Sequence, residues 1–159
     1  MSDAVTIYTD GSARGNPGPG GYGAILLYGD HRKELAQGYR RTTNNRMELM
    51  AVIAALQALN RSGLLITIYS DSQYVVKAVK EKWLDKWIRT QFKGGKKNRD
   101  LWEMYHRLSQ PHQIRFHWVK GHAENPLNNR CDELATRAAD GATHELKVDE
   151  GYESGINDC

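Results

Sequence analysis

Residues 7–23 read IYTDGSARGNPGPGGYG, and the order of the fold starts from this stretch. The β-branched and aromatic residues Val5, Thr6, Ile7, Tyr8 and Thr9 favour a strand, and the Gly/Pro/Asn cluster after Asp10 continues neither strand nor helix. Asp10 is therefore expected at a strand's end. A carboxylate there, followed by glycines that admit another backbone, is where open α/β sheets place ligand chemistry. Asp also starts ordinary turns, so taken alone the residue supports both readings.

Working outward, residues 4–10, 21–28 and 32–40 alternate in character across short connections, which predicts an antiparallel meander. Thr42, Thr43, Asn44 and Asn45 offer helix caps before a run of helix formers at 46–59. Within it Leu49, Val52, Ile53 and Leu56 make one apolar stripe. Residues 64–69 (LLITIY) read as a central strand covered on both faces, ending at Asp71. Helices are expected at 72–80, at 83–90 and around Leu101, Tyr105 and Leu108, then a strand at 113–119. A last helix begins at Asn125-Pro126, with Asn as cap and Pro in first position. From Gly141 the pattern dissolves, predicting a poorly ordered acidic tail. The fold class is α/β: a five-stranded mixed sheet, antiparallel through strands 1-2-3 and parallel through 1, 4 and 5, with helices on both faces.

The chain has 159 residues and a net charge of +3, sized for one domain. Residues 77–107 carry ten Lys/Arg against four acids, whereas the last fifteen residues carry five acids against one Lys. One region is suited to anions and the other to solvent. No apolar run reaches membrane-spanning length, and Cys131 and Cys159 form no zinc or redox pattern, so a cytoplasmic protein without a membrane partner is expected.

If strands 1 and 4 are neighbours, Asp10 and Asp71 finish side by side, about 4.8 Å apart. Two like charges that close raise one another's pKa unless a cation lies between them. Glu48, in the first turn of the connecting helix, can fold back over the strand ends. Asp132 shares a polar helix face with Asn128 and Asn129. Each has an ordinary alternative: Glu48 in a capping box with Asn45, Asp71 as an N-cap, Asp132 as a solvated helix residue. Together the four make an all-oxygen site for a hard cation, Mg²⁺ or Mn²⁺.

The segments TDGSARGNPGPGGYG, TTNNRMELMA, YSDSQYV, WVKGHAENP and NRCDELA resemble those of type-1 ribonuclease H in its bacterial form, in the family's order from Val5 to about Ala139. The resemblance implies a ribonuclease H-like catalytic domain at residues 1–140, with 141–159 as its tail. It implies an endonuclease that hydrolyses the RNA strand of RNA/DNA hybrids by two-metal-ion catalysis, leaving 5′-phosphate and 3′-hydroxyl ends. By the same resemblance Asp10, Glu48, Asp71 and Asp132 are the catalytic metal ligands, with Asp10 bridging and Glu48 touching a 2′-hydroxyl. His122 matches a mobile-loop histidine that assists proton transfer or product release; as a plain residue it is also simply a surface His.

Substrate contacts carry over in the same way. Gly11, Ser12, Asn45 and Gln73 match positions beside the RNA strand in the minor groove, where the 2′-hydroxyl distinguishes RNA from DNA. Asn16 and Asn44 match positions facing the DNA strand, and Arg41, Thr43 and Asn98 resemble a pocket for a DNA phosphate. Trp83, with Lys86, Arg89, Lys93, Lys96 and Lys97, looks like the family's basic protrusion, and Trp87 is open between that surface and the core. Residues 87–98 are more compact than in familiar bacterial members, and Asn129 stands where several relatives carry an acid. A monomer is implied. An integrase-like DNA nuclease and a binding protein without turnover are the rival readings; the TTNNRMEL and GH-loop motifs oppose the first and the complete acid set opposes the second.

Overall fold

Alternation from Ala4 onward builds a meander of three strands, β1 (Ala4–Ala13), β2 (Gly18–Tyr28) and β3 (His31–Thr42), the last two joined by a turn in which Gly29 takes a φ of 57°. The computed structural model describes residues 3–92, 98–119, 125–141 and 145–154. Beyond the meander the order is α1 (Asn44–Gln57), β4 (Leu65–Ser70), α2 (Gln73–Lys80), α3 (Trp83–Arg89), α4 (Arg99–Ser109), β5 (Gln113–Trp118), α5 (Pro126–Ala139) and α6 (Glu150–Glu153). Among the described residues the strands form one five-stranded sheet, β3-β2-β1-β4-β5, antiparallel across β1-β2-β3 and parallel across β1-β4-β5. The expected mixed sheet is what forms.

Helix starts follow local chemistry. Thr43 Oγ1 accepts from Arg46 N–H at 3.3 Å, Ser72 Oγ from Val75 N–H at 3.2 Å, and Asn125 Oδ1 from Leu127 and Asn128 N–H at 3.0 Å each. On one sheet face the α1 stripe of Leu49, Val52, Ile53 and Leu56 is buried with Ile7, Ile66, Ile68 and Val75. Each such side chain contributes about 1.5–3 kcal/mol on burial. On the other face α5 lies directly on the backbone of β2 and β3. A side chain at Gly23 would stand 2.5 Å from the Cys131 carbonyl, and one at Gly21 or Gly38 would strike the α5 backbone. Among the described residues no helix is long and apolar enough to cross a membrane.

Two expectations are corrected. Asp10 is not the end of β1: the strand continues to Ala13 beside β2, whereas its pairing with β4 stops at Thr9–Ser70. The glycines that look like strand breakers are paired, Gly11 with Tyr22 and Gly23 with Asp10. Nor is the chain beyond Gly141 uniformly unpacked, because residues 145–154 dock. Lys147 N–H donates to the Gly38 carbonyl and its own carbonyl accepts from Arg40 N–H, both at 2.9 Å. Asp149, 2% exposed, accepts from Arg46 Nε at 2.7 Å, from Arg46 Nη2 at 2.9 Å and from Thr42 Oγ1 at 2.6 Å. The same guanidinium donates to both Asp100 oxygens and to Asn98 Oδ1. These partners span more than a hundred residues and have no local period, which is why the tail looks solvated in sequence.

Candidate active site

The parallel register of β1 and β4 makes Asp10 and Asp71 the next residues along two adjacent strands, just where their pairing ends. Gly11 then brings α1 over them. Any side chain there would collide with the Met47 and Glu48 backbone, so the first turns of the helix press against β1 and Glu48 reaches the two aspartates. Asp10, Glu48 and Asp71 each present an oxygen, and these oxygens lie within 4.8 Å of one another. Asp132 on α5 lines the same cavity of about 400 Å³, together with Gly11, Asn44, Asn45, Ser72, Gln73 and Tyr74.

Like charges held this close need compensation. Burial and then the neighbouring Asp71 charge push the Asp10 carboxyl up to about 8, against the opposing pull of hydrogen bonds with Glu48 and from Gly11 N–H. Glu48 is driven well above the usual carboxylate range by burial first, then by Asp10 and Asp71. Among the described residues the buried Glu48 Oε2 has no hydrogen-bond partner. An unpartnered buried oxygen, in a set made wholly of carboxylate oxygens, fits a hard divalent cation.

The expected substrate residues divide by location. Asn45 and Gln73 are exposed and line the cavity, and Ser12 follows Gly11 along β1. Asn16 and Asn44 brace the cavity wall: Asn44 N–H donates to Asn16 Oδ1 at 2.8 Å, and Asn44 Oδ1 accepts from Ala13 N–H at 2.6 Å. Arg41 is exposed and Thr43 caps α1, whereas Asn98 is buried, held by Arg46 and by a hydrogen bond from its Nδ2 to Tyr74 Oη at 3.1 Å. Trp83 is 41% exposed and Lys86 is exposed on α3. Trp87 instead packs edge-on against Trp102 at 5.9 Å, which puts it with the core. Lys96, Lys97 and His122 lie outside the described residues. Tyr74 is a wall residue that the sequence reading passes over. Its hydroxyl accepts from Trp102 Nε1 at 2.8 Å, and its position three after Asp71, in the segment SDSQY, is the available signal.

Known proteins resemble this chain over most of its length. A family model described as RNase H matches residues 2–140. A ribonuclease H of Syntrophus aciditrophicus (strain SB) is 53% identical over 152 residues, covering 93% of this chain and 86% of that protein. One of Lachnoclostridium phytofermentans is 57% identical over 147 residues, covering 86% and 92%. The crystal structure of LC9-RNase H1, a type 1 RNase H, superposes with a TM-score of 0.78 at 26% identity, over 98% of this chain and 82% of that one.

Proposed function

The chain belongs to the RNase H family, and from that premise we propose that Asp10, Glu48, Asp71 and Asp132 hold two Mg²⁺ ions and hydrolyse the RNA strand of RNA/DNA hybrids, leaving 5′-phosphate and 3′-hydroxyl ends. The observation that carries the reading is the convergence of three carboxylates within 4.8 Å, with a buried Glu48 oxygen lacking a partner. Bound cations supply Lewis-acid stabilisation of the charge that builds on a cleaved phosphodiester; Mn²⁺ satisfies the same ligand set.

The chain's own groups supply the rest. Asp10, flanked by Glu48 and Asp71, would be the ligand shared between the cations, and Glu48 also lines the cavity where a 2′-hydroxyl would enter. Gly11, Ser12, Asn45 and Gln73 orient the RNA strand; Asn16 and Asn44 face the DNA strand. Arg41 and Thr43 meet a DNA phosphate, with buried Asn98 supporting that pocket through its hydrogen bonds with Arg46 and Tyr74, and Trp83, Lys86, Lys96 and Lys97 serve as the basic protrusion. His122 exchanges a proton or eases product departure. We take residues 1–140 as the catalytic unit and the protein as a cytoplasmic monomer.

Cleavage of a labelled hybrid with Mg²⁺ tests this, with duplex DNA and duplex RNA as controls. RNA-strand cuts confined to the hybrid are expected. Equal cutting of DNA, or no cutting with Mg²⁺, overturns the assignment.

A further inference from the structure

A second cavity, of about 360 Å³, opens beside the carboxylates between α2 and the end of β5, lined by Gln73, Val76, Lys77, Lys80, Glu81 and Trp118. Gln73 lines both this cavity and the carboxylate cavity, so the two are neighbours. Trp118 is 42% exposed although large and aromatic, and its indole N–H donates to the Asp71 carbonyl at 3.2 Å, which fixes the ring to the strand end that carries a metal ligand. Lys77 and Lys80 have no ion pair among the described residues. Gln73, Lys77 and Lys80 fall on one α2 face. From Gln73 to Lys80 the helix rises roughly 10 Å, the rise of about three stacked nucleotides.

An aromatic face beside exposed cations, leading away from a phosphate-cleaving centre, is the chemistry of a nucleic-acid strand track. We propose that this groove holds the RNA strand within three nucleotides of the cleaved bond, with Trp118 packing on a ribose or base and Lys77 and Lys80 meeting its phosphates. The proposal rests on hybrid cleavage and adds a subsite to it. Trp118 and the lysines act on binding, so their effect falls on KM and leaves the chemistry at the carboxylates in place.

Steady-state cleavage of a long hybrid tests it. Trp118→Ala is expected to raise KM about tenfold, as removal of one stacking partner does, with kcat changed less than about threefold. Trp118→Phe keeps a ring face but loses the N–H to Asp71, and is expected to restore KM. Lys77→Ala with Lys80→Ala should raise KM and lower the salt slope by roughly 0.7–0.9 for each phosphate left unneutralised. That double effect should vanish when neutral methylphosphonates replace the RNA-strand phosphates on one side of the cleaved bond. Lys33→Ala, a cation on the β2–β3 edge far from both cavities, serves as the unchanged control. A fall in kcat with unchanged KM for Trp118→Ala, an unchanged salt slope, or disappearance of the lysine effect on neutralising DNA-strand phosphates instead would overturn the proposal. Absence of any hybrid cleavage by the parent enzyme would be a failure of the function, separable from these outcomes.

Discussion

Two buried charge clusters stand two residues apart on α1. At Arg46 the cation is covalent: one guanidinium, 1% exposed, satisfies both oxygens of Asp149 and of Asp100 together with Asn98 Oδ1. At Glu48 three carboxylates converge, and among the described residues a Glu48 oxygen stays unpartnered. Both clusters put charge out of water: the first is closed by Arg46 ion pairs at 2.7 Å, whereas the second, among the described residues, leaves a buried Glu48 oxygen open. The difference separates a charge that holds the fold from one that waits for a ligand.

Turnover separates the two clusters most strongly. Asp10→Asn is expected to cut kcat about 10³-fold or more, equivalent to several kcal/mol of transition-state stabilisation, while hybrid binding largely survives. Near-normal turnover would remove Asp10 from the bridging position. In the other cluster, Arg46→Ala strands two carboxylates and should cost about 3–5 kcal/mol in denaturant unfolding. Glu48→Gln in metal-free protein should cost nothing or stabilise. Equal destabilisation by the two changes would erase the distinction.

pH sharpens it further. Asp10 rises from 3.8 to about 8 on folding, so the metal-free native state binds the extra proton and its stability falls as pH climbs through that window. A divalent cation binding the ionised site would reverse the loss. Melting temperatures should therefore show a larger Mg²⁺ increment above about pH 8 than near pH 5, on either side of the raised carboxyl, and Asp10→Asn should flatten the metal-free profile. A pH-independent increment would contradict the assignment. The smallest effect belongs to Arg14 and Asp140, an ion pair whose side chains are 53% and 58% exposed. Arg14→Ala should shift unfolding by less than about 1 kcal/mol.

The fold was legible wherever the pattern was local. Alternation marked the strands, the Leu49–Leu56 spacing marked α1, and Asn125-Pro126 marked the start of α5, because caps and periods lie within a turn or two of the residues they organise. The carboxylates were legible for a related reason: Asp10 and Asp71 come just past the last residues that pair β1 with β4, two strands whose parallel neighbourhood the order of elements already implied. What stayed hidden depends on distant partners. Nothing near Asp149 announces Arg46, Trp87 and Trp83 differ only in what packs against them, and Gly11 and Gly23 resemble turn residues until the helices above them are known.

Gly23 pairs with Asp10 and, on the same face, seats the Cys131 carbonyl of α5. Asp132 is the next residue of that helix. The sheet therefore works as a depth gauge: the missing side chain sets how low α5 rides, and through it how far the fourth carboxylate stands from the other three. A single methyl at Gly23 would lift the helix and carry Asp132 away from the other carboxylates, an effect expected as weaker divalent-cation binding with all four acidic side chains unchanged.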